Sequence, residues 1–150
     1  MEYTASMVLH KTILILEDDL KTLSLILERL ADLEGDQPYD LSTIVLTNHV
    51  QVENLINDNK SIQFDIILLD RDCKLGGSFH ILNIEKFGPD KVISISSVPE
   101  YNKQAQKRGV KRVILKDNAH KAEFADAVVK EIGVMLRTMP LEASNVHNII

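Results

Sequence analysis

Five short apolar runs, each followed by a stretch with helical periodicity, constrain this chain more than any other feature. They are TILIL (12–16), LSTIVL (41–46), FDIILL (64–69), KVISIS (91–96) and KRVIL (111–115). TILIL and FDIILL, nearly unbroken in apolar character, read as buried strands, and the other three as strands of the same sheet. After the first run, Leu20, Leu23, Leu27 and Leu30 recur at steps of three and four, placing them on one face of a helix that stops near Gly35, ahead of Pro38. Val52, Leu55 and Ile56 mark the inner face of a second helix. A short helical pattern runs from Ser78 to Phe87 and closes at GPD (88–90). PEYNKQAQKRG (99–109) opens on Pro99 and ends in basic residues and Gly109, with Tyr101 and Ala105 as its thin inner face. Phe124, Val128, Ile132 and Met135 stripe the last helix. Five alternations predict an α/β fold: a doubly wound, five-stranded parallel sheet with helices on both faces. Right-handed crossovers leave few windings, and the flavodoxin-like order 2-1-3-4-5 is the expected one.

Composition bounds the rest. The 150 residues are 45% hydrophobic, enough for one core, so one domain is expected over residues 11–138, between a leader at 1–10 and a tail at 139–150. Acidic residues outnumber basic ones by 22 to 17, a net charge of -5, which argues against direct nucleic-acid binding. Cys73 is the only cysteine, so no internal disulfide and no cysteine zinc site can form. The five histidines, His10, His49, His80, His120 and His147, show no ligand spacing. No apolar run approaches the twenty or so residues that span a bilayer, and no signal peptide is visible; a cytoplasmic location is expected.

In such a sheet, ligands sit outside the carboxyl ends of the strands. The first strand ends in Glu17, Asp18 and Asp19, the third in Asp70, the fourth in Ser96 and Ser97, the fifth in Lys116. Two carboxylates about 4 Å apart repel by roughly 4 kcal/mol at an effective dielectric of 20, and one lysine cannot neutralise three of them. A divalent cation can, and an oxygen-only, open site suits Mg²⁺. A cation beside a carboxylate, a hydroxyl and an ammonium equips the site for phosphoryl transfer, with Asp70 as the nucleophile that forms an aspartyl phosphate.

LILEDD after the first strand, IILLD at the end of the third, ISISS at the end of the fourth and VILKD at the end of the fifth together resemble the response-regulator receiver domain of two-component signalling. The resemblance covers residues 11–137 and includes Gly109, seven residues before Lys116. It implies roles for individual residues. Asp70 matches the phosphoacceptor, Glu17 and Asp18 the Mg²⁺-binding acids, and the backbone carbonyl of Asp72 the third protein ligand. Ser96 matches the hydroxyl that binds the transferred phosphoryl group, and Lys116 the lysine that pairs with it. It further implies a phosphorelay protein that is not an enzyme acting on other molecules, but catalyses its own phosphorylation and dephosphorylation. The donor would be a histidine kinase or phosphotransfer protein. With no further domain after Arg137, the expected output is contact with a downstream protein near the fourth helix, fifth strand and fifth helix. Homodimerisation is left open.

The sequence departs from the family pattern at defined points. Asp117 follows Lys116 where the family has proline, Val113 stands where it often has an aromatic residue, and Lys74 replaces a common proline in the loop carrying Gly76 and Gly77. Asp72 and Val98 fall at two positions that tune phosphate lifetime in the family. Three other readings compete. One is a pseudo-receiver in which Lys116 and Asp70 form a structural ion pair. Another takes DRD (70–72) as the nucleophile motif of a haloacid-dehalogenase-like phosphatase, disfavoured by the upstream acids Glu17 and Asp18. A nucleotide or flavin binder is disfavoured because those acids repel phosphate. Asp19 reads as a helix N-cap, and Cys73 as incidental.

Overall fold

The computed structural model describes residues 8–36, 38–72 and 78–139. Cys73, Lys74, Gly76, Gly77, His147, and nearly all of the expected leader and tail lie outside the described residues. The elements are β1 (Leu9–Leu16), α1 (Leu20–Asp36), β2 (Tyr39–Leu46), α2 (Val50–Val52, continued by a π-helical turn Glu53–Asn57), β3 (Ile66–Asp70), α3 (Ile84–Phe87), β4 (Val92–Ser96), α4 (Pro99–Lys107), β5 (Arg112–Leu115) and α5 (Lys121–Thr138). β1 starts at Leu9, so the sheet takes in two residues expected in the leader.

All five strands are parallel, in the order β2-β1-β3-β4-β5. The expected winding is the observed one. Side-chain alternation divides the core in two. Ile13, Ile15, Ile66, Leu68, Ile93 and Ile95 face α1 and α5, where Leu23, Ile26, Leu30, Phe124, Val128, Ile132 and Met135 cover them. Leu14, Leu16, Ile67, Leu69 and Val92 face the other way, against Val52, Ile56, Phe79, Ile84, Phe87 and Ala105. Every residue of β3 and β4 is buried: β3 is apolar up to Asp70, whereas β4 alternates Ile93 and Ile95 with Ser94 and Ser96, whose hydroxyls donate to Asn102 and Asp72. Each buried Leu or Ile contributes roughly 1.5–3 kcal/mol relative to exposure.

Several helix faces differ from the spacing argument. Leu20 is exposed and Leu27 only partly covered, while Thr22, Leu23, Ile26 and Leu30 are buried, so the inner face of α1 is rotated from the stripe the leucines marked. Leu55 is also exposed, since the turn at 53–57 is π-helical and rotates it away from Val52 and Ile56. The helical pattern from Ser78 to Phe87 resolves into a 3-10 turn at Phe79–Ile81 and the four-residue α3. In α4 the buried residues are Asn102 and Ala105, and Tyr101 is only partly covered. Asn102 accepts from Ser94 Oγ at 2.8 Å and donates to Ile114 O at 3.1 Å, so a polar side chain ties α4 to β4 and β5. Gly109 has φ +98°, and a Cβ there would meet Pro89 at 3.2 Å, which explains glycine at the α4–β5 turn.

Candidate functional site

The strand order brings the carboxyl ends of β1, β3, β4 and β5 to one edge. Asp70, the last residue of β3, pairs in register with Ile95, and Ser96, the last of β4, with Leu115. Glu17 follows β1 directly, its N–H bonded to Leu46 O at 3.3 Å, and Lys116 follows β5, its N–H bonded to Ser96 O at 2.8 Å. Ladder hydrogen bonds thus extend to the functional residues and hold their backbones.

Glu17 and Asp70 are fully buried, and the Lys116 ammonium donates to Glu17 Oε1 at 2.8 Å and to Asp70 Oδ2 at 3.4 Å. Asp70 Oδ1 accepts the Asp72 N–H at 3.0 Å. Glu17 Oε2 is buried with no hydrogen-bond partner. One oxygen each from Glu17, Asp18 and Asp70 lie within 4.8 Å of one another. The orphaned Glu17 oxygen and the all-oxygen donor set fit a hard divalent cation.

Burial, then the neighbouring Glu17 charge, pushes the Asp70 carboxyl up to about 8, against Lys116 and the Asp72 N–H. Glu17 is raised as well, by burial working against Lys116. Burial works to lower Lys116, but the Asp70 and Glu17 charges overcome it and its amine is raised. One ammonium against two buried acids leaves negative charge in excess, so the acids hold their protons more tightly than free carboxylates do.

Asp19 donates its N–H to Glu17 Oε1 at 3.1 Å, while its carboxylate caps α1. Its Oδ2 accepts from Thr22 N at 3.0 Å and from Lys121 Nζ at 2.9 Å, which holds its carboxyl well below the usual range despite some burial. The peptide bonds of the described residues are all trans, including Lys116–Asp117, and Lys116 still reaches both acids. Asp117 shapes that loop with its side chain, accepting Ala119 N at 3.0 Å and His120 N at 3.2 Å before α5 begins. Val113 packs partly buried on the α2–α4 side of the sheet.

Ser96 lies beside the cluster, but its hydroxyl donates to Asp72 Oδ1 at 2.6 Å. Asp72 also accepts from Ser97, so its side chain makes hydrogen bonds that neither the expected backbone-carbonyl ligation nor its place at a lifetime-tuning position announces. Arg71, next to Asp70 and also buried, was missed too; it reaches Gln104 of α4 at 3.3 Å. An arginine between two aspartates in a loop carries no signal of burial. Glu17, Asp18, Asp70 and Lys116 are brought together as expected.

No protein-family model and no curated protein matches the sequence. Solved structures do. The Mn²⁺-bound form of response regulator Rcp1 superposes with a TM-score of 0.68 at 20% identity, covering 89% of this chain and 99% of that one. The phosphorylated cyanobacterial phytochrome response regulator RcpA gives a TM-score of 0.69 at 19% identity, covering 89% and 99%. A response regulator receiver domain from Rhodospirillum rubrum gives 0.62 at 21% identity, covering 87% and 96%. Among the described residues no helix is long and apolar enough to cross a membrane. The strand order, the two helical layers and these superpositions lead to one statement: the chain has the fold of response-regulator receiver domains.

Proposed function

We propose that the chain is a phosphoacceptor domain of a two-component or phosphorelay system, modified on Asp70 with Mg²⁺ and signalling through protein contacts. The observation that carries the reading is the buried meeting of Lys116 with Glu17 and Asp70, residues remote in sequence, at the ligand-binding edge of the sheet. A stability role alone gives little reason to bury two acids on one base. Rcp1 in its Mn²⁺-bound form and RcpA in its phosphorylated form support the choice of chemistry.

Glu17, Asp18 and Asp70 would hold the cation through their carboxylates and Asp72 through its backbone carbonyl. When bound, Mg²⁺ supplies positive charge against the phosphoryl oxygens. The rest falls to the chain's own groups. Asp70, ionised, attacks phosphorus; the new O–P bond forms as the bond to the donor breaks, and the electron pair leaves with the donor. Lys116 releases part of its hold on Glu17 and pairs with the added anion, and Ser96 donates its hydroxyl to it. The protein accepts the group on itself and does not turn over other substrates. Its donor would be a histidine kinase or phosphotransfer protein.

Incubation with acetyl phosphate and Mg²⁺ is expected to add one phosphoryl mass, labile to hydroxylamine, to the wild type and none to Asp70→Asn. Wild type that stays unmodified points to a pseudo-receiver with Lys116 in a structural ion cluster. Steady turnover of phosphate esters points to a phosphatase.

A further inference from the structure

The Asp72 carboxylate clamps the start of the β4–α4 connection. Oδ1 accepts from Ser96 Oγ at 2.6 Å and from Ser97 N at 2.8 Å, and Oδ2 from Ser97 Oγ at 2.9 Å. These are charge-assisted bonds, the stronger class. Ser96 Oγ accepts the Val98 N–H at 2.9 Å, so the hydroxyl's one proton is committed to Asp72. A phosphoryl group on Asp70 would offer a competing anionic acceptor to the same proton. Ser96 cannot donate to both. The strand end that carries it leads directly into α4: Val98 precedes Pro99, and Val98 O accepts Tyr101 N at 3.0 Å in the first turn.

We propose that the Asp72 side chain is a latch holding Ser96 and Ser97, and with them the entry to α4, in the unphosphorylated arrangement, and that a phosphoryl group on Asp70 displaces it from Ser96. The proposal rests on the phosphoacceptor reading of Asp70. Phosphorylation then exchanges one acceptor of the Ser96 hydroxyl for another. The three bonds of the clamp oppose that exchange, which sets the resting state. Their release frees the Ser97 amide and hydroxyl together and so reaches α4 within two residues. This makes the β4–α4 connection the moving part despite Val113, which has no ring to rotate.

Beryllofluoride with Mg²⁺, a stable stand-in for the phosphoryl group, tests this on the full chain. Asp72→Ala is expected to tighten its binding about tenfold, the worth of one charge-assisted hydrogen bond net of the bond gained. Ser97→Ala, a milder change, is expected to tighten it about threefold, that is, about half the logarithmic gain. Removing a negative charge also favours an anion, so the decisive comparison is made in a Ser96→Ala background. There the Asp72→Ala gain is expected to shrink to about twofold, the part due to charge alone. In the free protein, the Ser97 amide of Asp72→Ala is expected to exchange with solvent faster than in wild type. Unchanged or weaker binding by Asp72→Ala, or a full gain that persists without the Ser96 hydroxyl, overturns the latch alone. Wild type that does not bind beryllofluoride overturns the phosphoacceptor reading, and the latch with it.

Discussion

The two faces of the sheet are built differently. On one, α1 with 17 residues and α5 with 18 lie over an apolar layer that runs from Leu23 to Leu136. On the other, α2 and α3 are three and four residues long, and α4 buries one alanine and one asparagine. The first face is held by area. The second is held at α4 by directed contacts: Asn102 to Ser94 and Ile114, Arg71 to Gln104, and Asp72 to Ser96 and Ser97. Apolar burial is insensitive to small rotations, whereas a hydrogen bond is lost within a fraction of an ångström. A platform suits the first construction and a movable element the second.

The comparison can be broken most directly in the platform. Ile132→Ala, at a fully buried site in α5, is expected to lower global stability by about 2–5 kcal/mol. Urea unfolding should register this as a lower midpoint at unchanged slope; a loss below about 1 kcal/mol would mean that α5 is not the anchor described here.

Next in size is a swing with pH at the acids between the faces. The folded Asp70 carboxyl is raised from 3.8 to about 8, so between those values the folded state keeps a proton that the unfolded state has released. Stability of the metal-free protein is therefore expected to fall as pH rises through that window, and Mg²⁺ to flatten the fall. Denaturation midpoints in chelator that climb with pH across the window would contradict the burial of these acids.

Asn102→Ala is the smallest of the three. It leaves Ser94 Oγ and Ile114 O without their partner, a cost of about 1–3 kcal/mol. The loss should concentrate in α4, whose amides are expected to exchange faster while those of α5 keep their protection. Equal acceleration in both helices would erase the distinction between the faces.

Much of this was legible from pattern. A continuous apolar run marks β3 because both of its faces are covered, and the stripe Phe124, Val128, Ile132 and Met135 lies inside as the spacing predicts. Glu17, Asp70 and Lys116 were found because a parallel sheet aligns its strand ends, so topology converts distant residues into neighbours. Leu20 and Leu55 misled because steps of three and four leave the exact rotation of the buried face open, which in α1 also takes in Thr22 and Ile26, and do not show where a turn widens. Asn102 was invisible for the opposite reason. Its burial depends on two partners, Ser94 and the Ile114 carbonyl, that local composition does not announce.

Residue order was enough for the strand succession, the winding and the identity of the groups at the sheet edge, since each follows from local periodicity and from the handedness of the chain. The direction of the Asp72 carboxylate, the depth of Arg71 and the polar seat of α4 required the packed molecule. Hydrogen bonds between side chains depend on distances of a few tenths of an ångström, and those are set by every element at once.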